Sequence, residues 1–210
     1  MRKSLLASAA FIMTTAASMA SATYLPTGPQ LNVALSTVTS GGWTLCYAAT
    51  LGTPFGNDAS ALSGCTGDRL MLAGRATGSD TLLVLAQTTK TDALFDTGQN
   101  TDQVHLSDGS GWYYHPQYSW GFAPGGESVF KYQCDEQAGS GRMCIHTFDW
   151  VGGFRINDIY DNQTSNYEKL VFTNSSSPSP EPASWAMMLG GFGAIGGALR
   201  ARRKTALSFG

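Results

Sequence analysis

Leu70-Met71-Leu72-Ala73, then Gly74-Arg75-Ala76-Thr77-Gly78-Ser79-Asp80, then Thr81-Leu82-Leu83-Val84-Leu85-Ala86-Gln87, are two strand-length apolar runs with a glycine-bearing polar break between them. Runs of four to eight apolar or β-branched residues bounded by Gly, Asn, Asp and Pro read as strands. Outward from this pair the pattern recurs at Trp43–Ala48, Ala93–Phe95, Trp112–Tyr114, Val129–Gln133, Arg142–Thr147, Phe154–Ile159 and Lys169–Thr173, often with period-two alternation. No stretch of 12 or more residues carries a clean i, i+3, i+4, i+7 pattern. Roughly eight to ten short strands with Gly-rich turns predict an all-β fold: an antiparallel β-sandwich or jelly-roll-like single domain. There is no internal repeat at a period of about 20–50 residues.

The chain has 210 residues, and both ends are set apart from this body. Residues 23–174 make one domain's length, enough to bury a core. From Thr23 to Pro178 there are 14 Asp and Glu against 7 Lys and Arg, a net of −7. Nucleic-acid binding releases counterions through clustered cations, so this acidic body argues against a nucleic-acid partner. Low charge with abundant Gly, Ser and Thr suits a secreted β-rich protein.

Residues 1–22 read as a signal peptide with a signal helix. Arg2 and Lys3 form a basic n-region, Leu5 to about Ala17 an apolar h-region, and Ala20 and Ala22 an A-x-A site before Thr23. No acidic residue occurs before Asp58.

At the other end, residues 175–179 are a Ser/Pro linker. Pro180-Glu181-Pro182 follows, then the apolar run Trp185–Leu199 and the basic cluster Arg200, Arg202, Arg203 and Lys204, with residues 205–210 as a tail. Trp185 stands where an interfacial aromatic belongs, and the basic cluster reads as a cytoplasmic stop. The run predicts a single membrane helix over 185–199. Its 15 residues span about 23 Å against a hydrocarbon core of roughly 30 Å, so it is short for a permanent anchor.

On Pro180, Glu181, Pro182, Trp185, Ala186 and Met187, with the Gly-rich span and terminal arginines, residues 180–204 resemble the PEP-CTERM sorting signal of Gram-negative bacteria in its PEPxxWA subtype. The same segment circulates as the ice-binding protein C-terminal domain, a label that says nothing about ice in the body. The resemblance implies an exosortase-like partner, an integral-membrane transpeptidase-like cysteine enzyme that recognises Pro-Glu-Pro. It also implies transient tethering to the inner membrane, then a final place at the envelope surface or outside the cell, in a setting of extracellular polysaccharide. The body itself resembles small uncharacterised secreted bacterial proteins with a GW-x-x-CY opening (Gly42, Trp43, Cys46, Tyr47) and a C-x-G-x-x-LMLA segment (Cys65, Gly67, Leu70–Ala73). That second resemblance implies no function.

Four cysteines, Cys46, Cys65, Cys134 and Cys144, in an exported domain read as disulfides. Of three connectivities, Cys46–Cys65 with Cys134–Cys144 is favoured, because each pair brackets a local Gly-rich segment. Zinc would need a closer C-x₂₋₄-C spacing, and no such pair is present.

The most unusual composition is Gly111-Trp112-Tyr113-Tyr114-His115-Pro116-Gln117-Tyr118-Ser119-Trp120-Gly121-Phe122. Exposed aromatics stack on sugar faces, which makes Trp112, Tyr114, Tyr118 and Trp120 candidate glycan contacts. The competing reading is that alternate rings fill the sandwich core. Oxygen-rich stretches at Asp96–Asp102 and Asn157–Asn162 could hold calcium, although neither has EF-hand spacing and Asx turns explain them equally well. No other cofactor is implied. His105, His115 and His146 show no metal-binding spacing, and no G-x-S-x-G elbow activates a serine. The sequence therefore points to a non-catalytic surface or matrix protein that contacts extracellular polysaccharide. The alternative is a secreted hydrolase acting on glycans or peptides, whose paired carboxylates only a fold could reveal.

Overall fold

A computed structural model describes residues 23–56, 58–99, 102–130, 134, 139–148, 152–161 and 163–175. The signal peptide, the linker from Ser176 onward, the sorting motif and the span 185–199 lie outside the described residues. Among the described residues no helix is long and apolar enough to cross a membrane.

The opening pair of runs forms a hairpin. β3 (Arg69–Ala76) and β4 (Thr81–Thr89) pair antiparallel with Leu72 opposite Ala86, and Gly78 takes the left-handed φ of +74° in the turn between them. The other strands are β1 (Gln30–Ala34), β2 (Thr44–Thr50), β5 (His105–Ser107), β6 (Ser110–His115), β7 (Ser119–Pro124), β8 (Met143–His146), β9 (Arg155–Ile156), β10 (Ile159–Tyr160) and β11 (Tyr167–Asn174). Three short helices complete the set: α1 (Leu35–Ser40), α2 (Asp58–Ala61) and α3 (Lys90–Ala93).

The strands make two antiparallel sheets, ordered β1-β4-β3-β11-β2 and β10-β9-β8-β7-β6-β5. The fold is thus mostly β, as expected. The second sheet runs in sequence order as a meander. Leu70, Leu72, Val84, Ala86 and Val171 of the first sheet meet Trp112, Trp120, Phe122, Met143, Ile145 and Ile156 of the second. At Gly74 the sheets approach so closely that a Cβ would lie 2.6 Å from Ile156 Cγ2.

β3 and β4 are buried on both faces, which explains their unbroken apolar runs. Met71, Ala73, Leu85, Leu170 and Phe172 form a second core on the outer side of the first sheet, closed by Val38 of α1 and by Trp43. A third cluster gathers Tyr113, Ala123, Cys144, Val129, Cys134 and Phe154 on the outer side of the second sheet.

Two expected strands are corrected. Ala93–Phe95 belongs to the end of α3 and the turn after it. Thr89 caps that helix, its Oγ1 accepting from Asp92 N at 3.1 Å, and local capping outweighs a three-residue apolar run. Val129 and Phe130 lie in no strand, and residues 131–133 are outside the described residues. Phe154–Ile159 is two short strands, β9 and β10, about a turn in which Asn157 has φ +56°.

Both favoured disulfides are present: Cys46 of β2 bonds Cys65, and Cys134 bonds Cys144 of β8.

Candidate functional site

β6 and β7 decide what the aromatic run does. Side chains alternate across a strand, so Trp112 and Tyr114 of β6 share a face, as do Trp120 and Phe122 of β7. The register sets Tyr114 opposite Trp120 and Trp112 opposite Phe122. That face looks into the space between the sheets, where Trp112 and Trp120 are fully buried. These two candidate glycan contacts are corrected, because a ring sealed between sheets offers no face to a polymer. Tyr118 is also buried, edge-on to His115 and Phe148.

Tyr114 differs because it sits toward the end of its strand, only partly buried against the inter-sheet core. It is half-buried and lines an open cleft of ≈ 440 Å³ together with Leu62, Ser63, Cys65, Thr66, Lys90 and Leu94. Three segments remote in sequence build this wall. The Cys46–Cys65 disulfide ties the 62–66 segment to β2, and Lys90 Nζ donates to Cys65 O at 2.8 Å, tying it to α3. Among the described residues the lining offers one tyrosine ring, two leucines, two aliphatic hydroxyls and one ammonium, and neither a carboxylate nor an imidazole. Sequence reasoning missed Leu62, Thr66, Lys90 and Leu94. The Thr89-Lys90-Thr91-Asp92 capping pattern was the available sign that a helix, and so a turn of chain, stood there.

Beyond α3, Asp92 gathers donors. Its carboxylate accepts from Thr89 Oγ1 at 2.8 Å and Ser107 Oγ at 2.9 Å, and His105 Nε2 lies 2.8 Å from Oδ1. Burial pushes Asp92 up, but the hydrogen bonds from Thr89, His105 and Ser107, with the His105 charge, outweigh it, and the net shift is downward. Ser107 and His105 both address the carboxylate rather than each other. A hydroxyl must meet the imidazole to lose its proton to it, so this arrangement organises α3 against β5 and does not activate the serine. Phe95 stacks on His105 at 4.5 Å between centroids and is itself exposed.

Three side chains of the two oxygen-rich stretches, Asp96, Asn157 and Asp161, hold hydrogen bonds within the fold. Asp96 Oδ1 lies 2.8 Å from His115 Nδ1 and accepts from Gly98 N. Asn157 Oδ1 accepts from Gly141 N and Ser140 Oγ, and Asp161 from Thr164. Asn100, Thr101 and Asn162 lie outside the described residues. Among the described residues no three His, Cys, Asp or Glu side chains converge on a metal position.

One buried ionisable group stands apart from the cleft. Lys169 of β11 is fully buried, and its Nζ donates to Gly152 O at 2.6 Å and to Thr53 O. Burial lowers its pKa to about 7. His146 is lowered too, first by burial and then by the Lys169 charge, against a hydrogen bond that its ring donates to the Tyr118 backbone. The lysine clips two loops together.

The described residues thus form a β domain stapled by two disulfides with a tyrosine-lined cleft, and a separate address lies in the C-terminal sequence. That address matches a known family: the PEP-CTERM protein-sorting motif covers residues 180–204. The chain thus carries the sorting segment of an exported, exosortase-targeted protein, held as a membrane-anchored precursor and processed toward the cell surface. No curated protein and no solved structure was found to match the chain.

Proposed function

We propose that this is a non-catalytic surface or extracellular-matrix protein whose exported body contacts extracellular polysaccharide through the Tyr114 cleft. The signal peptide over residues 1–22 would start its export. The Pro180-Glu181-Pro182 segment, with the 185–199 span and the basic stop, would hold it until processing. The observation that carries the reading is the sorting motif joined to a body with an aromatic cleft whose described wall has hydroxyls and an ammonium and, among the described residues, no acid or imidazole. Half-exposed tyrosine faces take sugar rings, while Ser63, Thr66 and Lys90 are placed as hydroxyl partners. A hydrolase would need a nucleophile with its base, or two carboxylates spaced about a scissile bond, and the described lining residues supply neither.

The test is co-sedimentation of the processed protein with polysaccharide purified from its own host. Tyr114→Ala should weaken binding by up to about tenfold, the loss of one aromatic contact, with unchanged near-UV circular dichroism. Equal binding by the variant would remove the cleft from the account. Release of reducing sugar by the wild type would replace it with the hydrolase.

A further inference from the structure

Both ends of the described body leave at the same pole. Tyr24 N donates to Gly41 O at 2.9 Å, and Trp43 Nε1 donates to Tyr24 O at 2.6 Å. This seats the start of the body on the Gly41–Trp43 turn. β11 ends against the same turn: Thr173 pairs with Thr44, and a Cβ on Gly42 would lie 3.5 Å from Asn174 Nδ2. Gly67 N donates to Thr173 Oγ1 at 2.9 Å, bringing the 62–67 segment to the same corner. The far pole is marked by the β3–β4 turn, where Asp80 is exposed.

The tether is short against the body it carries. Five residue steps separate Ser175 from Pro180, at most about 18 Å of extended chain. A folded domain of this length has a radius of gyration of about 15 Å, and so a radius of roughly 19 Å. Any enzyme that grips Pro180-Glu181-Pro182 is therefore within one body radius of the exit pole. Exposed side chains there include Ser40, Thr44, Leu45, Thr66 and Asp68. They carry hydroxyls, one exposed leucine and one carboxylate. Of the neighbouring cations, Arg69 is paired with Gln87 and Asp108, and Lys90 donates to Cys65 O at the cleft wall. Anionic lipid headgroups attract lysine and arginine, and among the described residues neither is fully exposed at this pole, whereas the Asp68 carboxylate is. A hydroxyl-rich surface with one carboxylate and an apolar spot suits protein instead.

We propose that the exit pole, centred on the Gly41–Trp43 turn and Thr44, is a contact surface for the exosortase-like enzyme, pressed against it by the five-step tether while the tripeptide is engaged. This rests on the processing reading above. The linker then works as a spacer whose length sets access, and the body as part of what the enzyme meets.

The experiment uses the full chain in a strain that holds the processing enzyme. A photo-reactive amino acid at position 44 should cross-link to that enzyme, and one at position 80 should not. Deleting residues 176–179 should cut trimming by at least about tenfold while export continues, because a linker that cannot span loses effective concentration steeply. An eight-residue Gly/Ser spacer in place of 176–179 should restore it. Equal cross-linking from both positions, lipid adducts alone from position 44, or wild-type trimming of the deletion would each overturn the proposal. A parallel variant with Ala at 180, 181 and 182 separates the two ideas: if it is trimmed like wild type, tripeptide recognition itself is wrong.

Discussion

Replacing Lys169 with methionine should remove a pH dependence of stability that the wild type carries. The amine is buried between the sheets with two carbonyl acceptors, Thr53 O and Gly152 O, and its pKa is lowered from 10.5 to about 7 by burial. A gap of that size corresponds to on the order of 5 kcal/mol between the two protonation states. Below about pH 7 folded and unfolded chains both hold the proton, and the folded state bears the full penalty of a buried ammonium. Between that pH and 10.5 the unfolded chain still binds a proton that the folded chain has released. Stability therefore rises with pH in this window, by up to about 1.4 kcal/mol per unit. The neutral amine keeps two N–H donors, enough for both carbonyls.

Other shifted groups act elsewhere. His146, lowered from 6.5, adds a rise below that value, and Asp92, lowered from 3.8, acts in acid. Tyr47, raised to about 12 by burial, reduces stability only once unfolded tyrosine ionises above its ordinary value of 10.0. Urea unfolding of the processed protein at several pH values from about 7 to 9.5 isolates the lysine. The wild type should gain about 3 kcal/mol across the range, and Lys169→Met should be close to flat. A flat wild type, or an equal slope in the variant, would refute the reasoning.

Three further outcomes follow from the packing. Trp120→Ala opens a cavity in the inter-sheet core and should cost about 3–5 kcal/mol, read by thermal or urea unfolding; a loss under about 1 kcal/mol would mean that the ring is not buried there. Replacing Cys134 and Cys144 together by alanine releases a ten-residue separation and should cost about 2.7 kcal/mol in the chain-entropy account. The Cys46–Cys65 pair, nineteen apart, should cost about 3.2 kcal/mol and also loosen the cleft wall. Non-reducing peptide mapping should find no free thiol at these four positions, and four alkylatable thiols in the native protein would contradict both bonds.

How far the sequence speaks varies along the chain. β3 and β4 were legible because burial on both faces writes long apolar runs, and β11 and β2 because they pair beside them. Ala93–Phe95 was misread, since three apolar residues carry no period and the Thr89 cap was the better sign. β7 was hidden inside a stretch notable for its rings, although Trp120 and Phe122 follow strand alternation. Trp112 and Tyr114 share one face of one strand, yet only Tyr114 reaches the cleft. Alternation assigns a face but does not say where the opposing sheet stops. The cleft itself joins residues near 62, 90 and 114, and a wall made of three remote segments leaves no local pattern. The sorting motif at residues 180–204 was legible because its tripeptide, tryptophan, apolar run and basic cluster are contiguous.

That segment is also where the central claim is most directly tested, by membrane fractionation with intact-mass analysis of the wild type and of a variant with alanine at Pro180, Glu181 and Pro182. The account predicts that wild-type protein leaves the membrane fraction with its mass shortened at the tripeptide. The variant should be exported but retained there with residues 185–210 still attached. A variant that leaves the membrane trimmed as efficiently as wild type would contradict it, and the C-terminus would then be a plain hydrophobic tail.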